Sequence, residues 1–152
     1  MTSPSGSEAL EPLDVLPSQR QEDRAIAVHE CGHAIVGILR NMHILGVALG
    51  EDMGGTLVMG TGEVTSGVLQ MLYAGYCAEV EFGIDPVAAT RHSRTDMLMA
   101  DLLFPRHSPA VEVAKTRSIV RYHKDVIDQA SRELLIARRL WRTALLRLLK
   151  DA

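Results

Sequence analysis

The stretch "AVHECGHAIVG", residues 27–37, sets two histidines four positions apart, with a glutamate directly after the first. On an α-helix each residue turns about 100°, so His29 and His33 lie one turn apart on the same face. Imidazoles placed in this way can bind one tetrahedral zinc ion in unstrained rotamers. Glu30 is angled toward the open side of such a metal, where it can take a proton from a water the metal has acidified. The competing reading is chance, since three fixed positions recur in roughly one chain in a couple of hundred of this length. Turning the wheel from His29, the opposite face collects Ala27, Cys31, Ala34, Ile35 and Ile38. That is a core-facing stripe, and it leaves the histidines on the other side. Cys31 is turned about 200° from His29 and reads as a small core residue. Gly32 costs about 1 kcal/mol relative to alanine in a helix interior, which implies close approach of another backbone.

The flanking sequence supports a helix there. Ser18 followed by Gln21 makes a capping-box pattern, so a helix is expected over about Gln19–Asn41. Residues 1–17, rich in Ser, Pro, Glu and Gly, read as a flexible N-terminal tail, and 18–152 as a single domain. Next come two short strands, Ile44–Leu49 and Thr56–Met59, forming a hairpin about a glycine-rich turn at Met53–Gly55. Thr65 or Ser66 starts a second helix that Gly83 would end, and "GIDPVAATRHS" reads as a loop. Ser93 precedes a short helix through Phe104, closed by Pro105. Ser108-Pro109 starts a stretch without Gly or Pro to Leu149, read as two helices with a break near Ile136–Arg139. The fold class expected is mainly α (α+β), with a small β-hairpin or sheet beside the histidine helix.

The 152 residues are 47% hydrophobic, enough for one modest core. A net charge of −3 gives no electrostatic argument for a nucleic-acid partner. Cys31 and Cys77 form no disulfide framework, which favours a reducing compartment. No basic start followed by an apolar run marks a signal peptide, and no window is apolar enough for a transmembrane segment. The expectation is a soluble, cytoplasmic protein.

Two histidines do not complete a catalytic zinc site, which ordinarily takes three protein ligands and leaves a position for water. Downstream candidates are Glu79, His92, Asp96, Asp101 and His107. Glu79 lies on a helix and would give a histidine-histidine-glutamate set, or would support a ligand histidine from behind. Asp96 has an ordinary explanation, because Ser93 and Asp96 make another capping-box pair. Spacing alone does not choose between them.

The motif "AVHECGHAIVG" resembles the "HEAGHA(I/L)VG" segment of the FtsH-type ATP-dependent zinc metalloproteases. "LYAGYCAEVEFG" is similar to that family's "LGGRAAEEIIFG", and "RHSRTDMLMADLL" to its "TGASNDLERATEL". Order and spacing agree over roughly residues 20–150. The resemblance implies Zn²⁺ as cofactor, with His29, His33 and Asp96 as its ligands, Glu30 as the general base and Glu79 as a supporting group. It also implies that Gly46, Val47, Ala48 and Leu49 form an edge strand that aligns an extended peptide. Two features of the family, a membrane anchor and an ATPase module with a phosphate-binding loop, do not occur in these 152 residues. "FPRHSPA" is shorter than the family's connection, and "RHS" replaces most of its "TGAS".

The function expected is therefore a zinc endopeptidase acting on unfolded proteins or peptides, with a separate ATPase or adaptor protein as a partner that could deliver them. A homo-oligomer is compatible with this. The alternative is a non-catalytic zinc-binding scaffold or regulatory module, against which intact Glu30 argues, because a scaffold needs only the ligands. The basic, amphipathic "RRLWRTALLRLL" near the C-terminus could serve a membrane surface or a partner groove, but such a stripe more often packs on its own domain.

Overall fold

In the computed structural model, which describes residues 17–51, 54–58 and 65–152, the histidine helix α1 runs over Pro17–Leu39. The tail expected over residues 1–17 lies outside the described residues except for Pro17, which already belongs to α1. Asn41 ends the helix from the left-handed region (φ 60). The amides of Asn41 and Met42 turn back to the carbonyls of Ile38 and Gly37, at 3.0 and 2.9 Å. This is the Schellman arrangement, which satisfies carbonyls the last turn would otherwise leave unpaired.

Strands β1 (Ile44–Leu49) and β2 (Gly54–Val58) follow as an antiparallel pair. Gly54 and Gly55, expected in the turn, stand inside β2; the rest of that turn and Met59 fall outside the described residues. Helix α2 (Ser66–Glu81) closes with Gly83 at φ 77 and the same pair of backward amide bonds, to Val80 and Glu79. The segment read as a loop contains a helix, α3 (Pro86–His92). Asp85 caps it by accepting from the Val87 amide at 3.2 Å, and Pro86 sits in its first turn. Helix α4 (Arg94–Leu103) follows directly.

The last segment holds three helices, α5 (Pro109–Tyr122), α6 (Lys124–Ala137) and α7 (Arg142–Asp151), with strand β3 (Arg139–Trp141) between the last two. One break falls where expected, at Arg138, which adopts a left-handed conformation (φ 63). The other, at His123, has no glycine or proline to announce it. It is imposed by packing: α5 lies on α2, whereas α6 lies on α1, and the chain must turn between them.

Among the described residues, then, there are seven helices and one three-stranded antiparallel sheet of order β2-β1-β3, on which α1, α6 and α7 pack, a mainly α (α+β) architecture. Helix α1 is the hub, covered by α2, α6 and the sheet. Ala27, Val28, Cys31, Ala34, Ile35 and Val36 are fully buried, and His29 and His33 are almost as deep. The histidine face, which the helical wheel left toward solvent, is thus covered by α2. The C-terminal amphipathic helix packs on its own domain. Leu140, Leu145 and Leu148 enter the core, while Arg147 pairs with Glu133. No described helix is long and apolar enough to cross a membrane.

Gly32 makes the α1–α2 approach possible. A Cβ there would stand 2.7 Å from the Ala78 methyl and 2.8 Å from the Ala74 carbonyl oxygen. Helix propensity alone predicts that Gly32→Ala stabilises the protein by about 1 kcal/mol. The contact reverses the sign, because the obstacle includes backbone, and overpacking of this kind costs about 1–3 kcal/mol. Urea denaturation of Gly32→Ala should show a lower midpoint than wild type; a higher one would mean that the two helices separate without cost.

Candidate metal centre

His29 and His33 point their Nε2 atoms at a common point, 2.9 Å apart. The Asp96 carboxylate oxygen Oδ2 completes a triangle, 3.1 Å from each. Asp96 arrives from the first turn of α4, sixty-odd residues downstream, and these three residues form the one potential metal-holding group found among the described residues. Tetrahedral zinc with bonds of about 2.0–2.1 Å spaces its donors about 3.3 Å apart, so the triangle is close to the required size.

The chemistry of these donors is as informative as their spacing. His33 Nδ1 lies 2.6 Å from the Met71 carbonyl oxygen, which can only accept, so Nδ1 carries the hydrogen. His29 Nδ1 lies 2.6 Å from Glu79 Oε1 and donates in the same way. These assignments follow from the hydrogen-bond partners, and they leave a lone pair on each Nε2. Two imidazole lone pairs and a carboxylate oxygen therefore face one another in a buried place. They repel unless a cation lies among them, and a proton or a metal ion would serve. The residues fit a zinc ion.

The titration of the metal-free centre follows from this crowding. Burial lowers the affinity of His29 for a proton, but the hydrogen-bonded Asp96 and Glu79 carboxylates and the nearby charge of Glu30 outweigh it, raising its pKa from 6.5 to about 9. Burial would raise Asp96, yet hydrogen bonds from His29 and His33 hold it well below the usual carboxylate range. Without metal, a proton supplies the missing positive charge.

Glycines clear room for the side chains. A Cβ on Gly75 of α2 would lie 2.5 Å from the His29 ring, and one on Gly54 of β2 would lie 2.7 Å from Glu30 Cγ. Glu30 sits on the exposed side of the triangle. Its Oε2 accepts a hydrogen bond from the Thr56 hydroxyl at 3.0 Å, which is shared with the Glu30 carbonyl oxygen. Two clefts meet at Glu30, Gly54 and Asp96. One, about 390 Å³, extends toward Glu22, His92 and Thr95; the other, about 230 Å³, extends toward Val58, Met71 and Leu72.

The other sequence candidates stand elsewhere. Glu79 is fully buried one layer behind the triangle, with Oε1 committed to His29 and Oε2 to His92 Nδ1 at 2.7 Å. His107 bonds Tyr73 and the Phe104 carbonyl, and Asp101 lies 3.8 Å from it on the surface. The capping box at Ser93 does not form. Because α3 runs straight into α4, Ser93 adopts φ −93, ψ 6 instead of the extended cap conformation, and its buried hydroxyl has no partner. Asp96 is thereby free to face the histidines.

The expected peptide-aligning strand needs correction. Gly46, Val47 and Ala48 pair with β2 on one side and with Trp141, Leu140 and Arg139 on the other, and the Leu49 amide bonds the Arg138 carbonyl. β1 is the central strand, so its backbone has no edge to offer. The edge beside Glu30 belongs to β2. Sequence reading also missed Thr56 and Glu22. Glu22 had a signal, since it lies seven residues before His29 on the same face of α1; Thr56 had none.

No protein-family model matches this chain, and no curated protein matches it by sequence.

The pKa shifts fix a sign for the metal-free protein. Stabilisation from His29, whose folded pKa is raised, is complete below about 6.5 and is lost as pH rises through about 9. Stabilisation from Asp96, whose folded pKa is lowered, is present above the ordinary carboxylate range and is lost in stronger acid. Chelator-treated protein should therefore melt at a lower temperature at pH 9 than at pH 6.5, and one equivalent of zinc should abolish most of that difference. Calorimetric scans at the two pH values test this, and equal metal-free melting temperatures would count against it.

Proposed function

We propose that the protein is a zinc-dependent endopeptidase acting on unfolded proteins or peptides, with His29, His33 and Asp96 holding the metal and Glu30 as general base. The observation that carries this reading is the convergence of three lone-pair donors, the two imidazoles in tautomers set from behind, with the Glu30 carboxylate at the mouth of the same cleft. Zinc bound there would polarise a scissile carbonyl and acidify a water.

The chain's own residues supply the rest. Glu30 takes the proton of the attacking water and can pass it to the leaving amine. The Thr56 hydroxyl steadies that carboxylate through Oε2, leaving Oε1 for the water. The outer edge of β2, which has no strand partner among the described residues, runs past Glu30 and can pair with an extended peptide. Such pairing uses main-chain groups and suits a broad range of sequences. The three sequence motifs shared with FtsH-type proteases favour the same chemistry, and delivery of substrate by a separate ATPase or adaptor belongs to this proposal.

A Glu30→Gln variant provides the test, because it keeps the shape and the hydrogen bond from Thr56. It should retain about one zinc per chain while its hydrolysis of casein falls by about 10²–10⁴-fold. His33→Ala should lose the zinc itself. If wild type binds zinc and its casein hydrolysis equals that of Glu30→Gln, the protein is a metal-binding scaffold and the peptidase reading fails.

A further inference from the structure

A chain of four side chains runs inward from the surface to the metal centre. Glu22 Oε1 lies 2.7 Å from His92 Nε2, His92 Nδ1 lies 2.7 Å from Glu79 Oε2, and Glu79 Oε1 lies 2.6 Å from His29 Nδ1. Burial deepens along it: the side chain of Glu22 is 45% exposed, that of His92 13%, and that of Glu79 is fully enclosed. The path leaves α1 at Glu22, crosses the C-terminal ends of α3 and α2, and returns to α1 at His29.

Glu79 brings a carboxylate into the core beside a ligand histidine. Each of its two oxygens faces one imidazole. An unpaired oxygen at such a depth would carry the full desolvation penalty and would leave the carboxylate free to rotate away from His29. His92 prevents this. Each of its nitrogens faces a carboxylate oxygen, and both hydrogen bonds are made when the ring carries a hydrogen on each. The local structure holds His92 in place: Asp85 caps α3, Pro86 opens it, and Ala89 is buried beneath it.

We propose that His92, anchored by Glu22, is a positioning residue for the metal centre: it fixes the Glu79 carboxylate, and through it the orientation of the His29 ring. The proposal rests on the metal-binding reading above and adds a determinant of affinity two side chains removed from the ion. His92 and Glu22 also form the wall between the cleft at the centre and a larger one of about 550 Å³, lined on its far side by Arg24, Phe82 and Asp85. The positioning side chains are therefore within reach of solvent from both clefts, although Glu79 is not.

The alternative role for His92 is a tie between α3 and α1 that leaves the metal unaffected, and the two roles predict different readouts. On the full chain, zinc affinity is measured by competition with a chelator, the cobalt-substituted protein is examined by its visible absorption, and the metal-free protein by urea denaturation. His92→Leu keeps bulk but removes both donors; it should weaken zinc binding about 10–100-fold and shift the cobalt bands. His92→Asn places its amide N–H near the position of Nδ1 and should recover most of the affinity. Glu22→Ala, at a half-exposed position that the fold tolerates, removes the acceptor facing His92; it should weaken binding several-fold, and it carries the test if His92→Leu does not fold. Wild-type zinc affinity and cobalt bands in His92→Leu, or in Glu22→Ala where it alone is soluble, would overturn the proposal even if urea stability falls. Failure of the underlying reading is seen separately, as a wild-type protein that takes up no zinc or cobalt, and it would remove this proposal as well.

Discussion

The contact between α1 and α2 governs everything around the centre. At Gly32 the two helices approach until a single methyl group would collide with the backbone of α2, and at Gly75 the missing side chain is the space the His29 ring occupies. The approach brings the Met71 carbonyl and Glu79 within hydrogen-bond reach of the two imidazoles. If the helices were one side chain further apart, His29 and His33 would be ordinary buried histidines of undefined tautomer. Close packing here is thus the source of the electrostatics, because it decides which nitrogen of each ring keeps its hydrogen.

The centre also shows how local chain geometry releases a residue for another role. Asp96 occupies a position where a carboxylate is welcome at a helix N-terminus. The abrupt junction of α3 and α4 turns Ser93 away from capping, and the unsatisfied hydroxyl of Ser93 is the local cost. In return, α4 begins near enough to α1 for Asp96 Oδ2 to sit evenly between both histidines.

Much of this was legible in the sequence, and the exceptions have physical causes. The four-residue spacing of His29 and His33 placed both on one helical face, and Gly32 announced a close neighbour. Gly83 marked the end of α2 through the conformation only glycine adopts cheaply. Asp85-Pro86 carries the same cap-and-proline signal as Ser108-Pro109, so α3 too is marked in the sequence. β3 could not: three residues between two helices leave no periodicity, and their partner is far away in sequence. Without β3, nothing in the sequence opposes the edge position that the family resemblance implies for Gly46–Leu49, whereas β1 is the central strand. Asp96 was not separable from Glu79 by spacing, because each had an ordinary explanation in its own helix. The family resemblance implies Asp96, and the packing of α1 and α4 on α2 brings its carboxylate to the triangle while Glu79 stands behind it.

A strand edge open to a peptide is also open to another copy of the same chain, and exposed edges are where sheet proteins begin to aggregate. β2 keeps that hazard small by its composition. It has five residues, of which the first two are glycines with poor strand propensity, leaving only Thr56, Leu57 and Val58 to sustain pairing. Among the described residues, a long intermolecular ladder finds little on this edge to grow on. Gly54, which makes room for the Glu30 side chain, thus also limits how far pairing can extend along this edge.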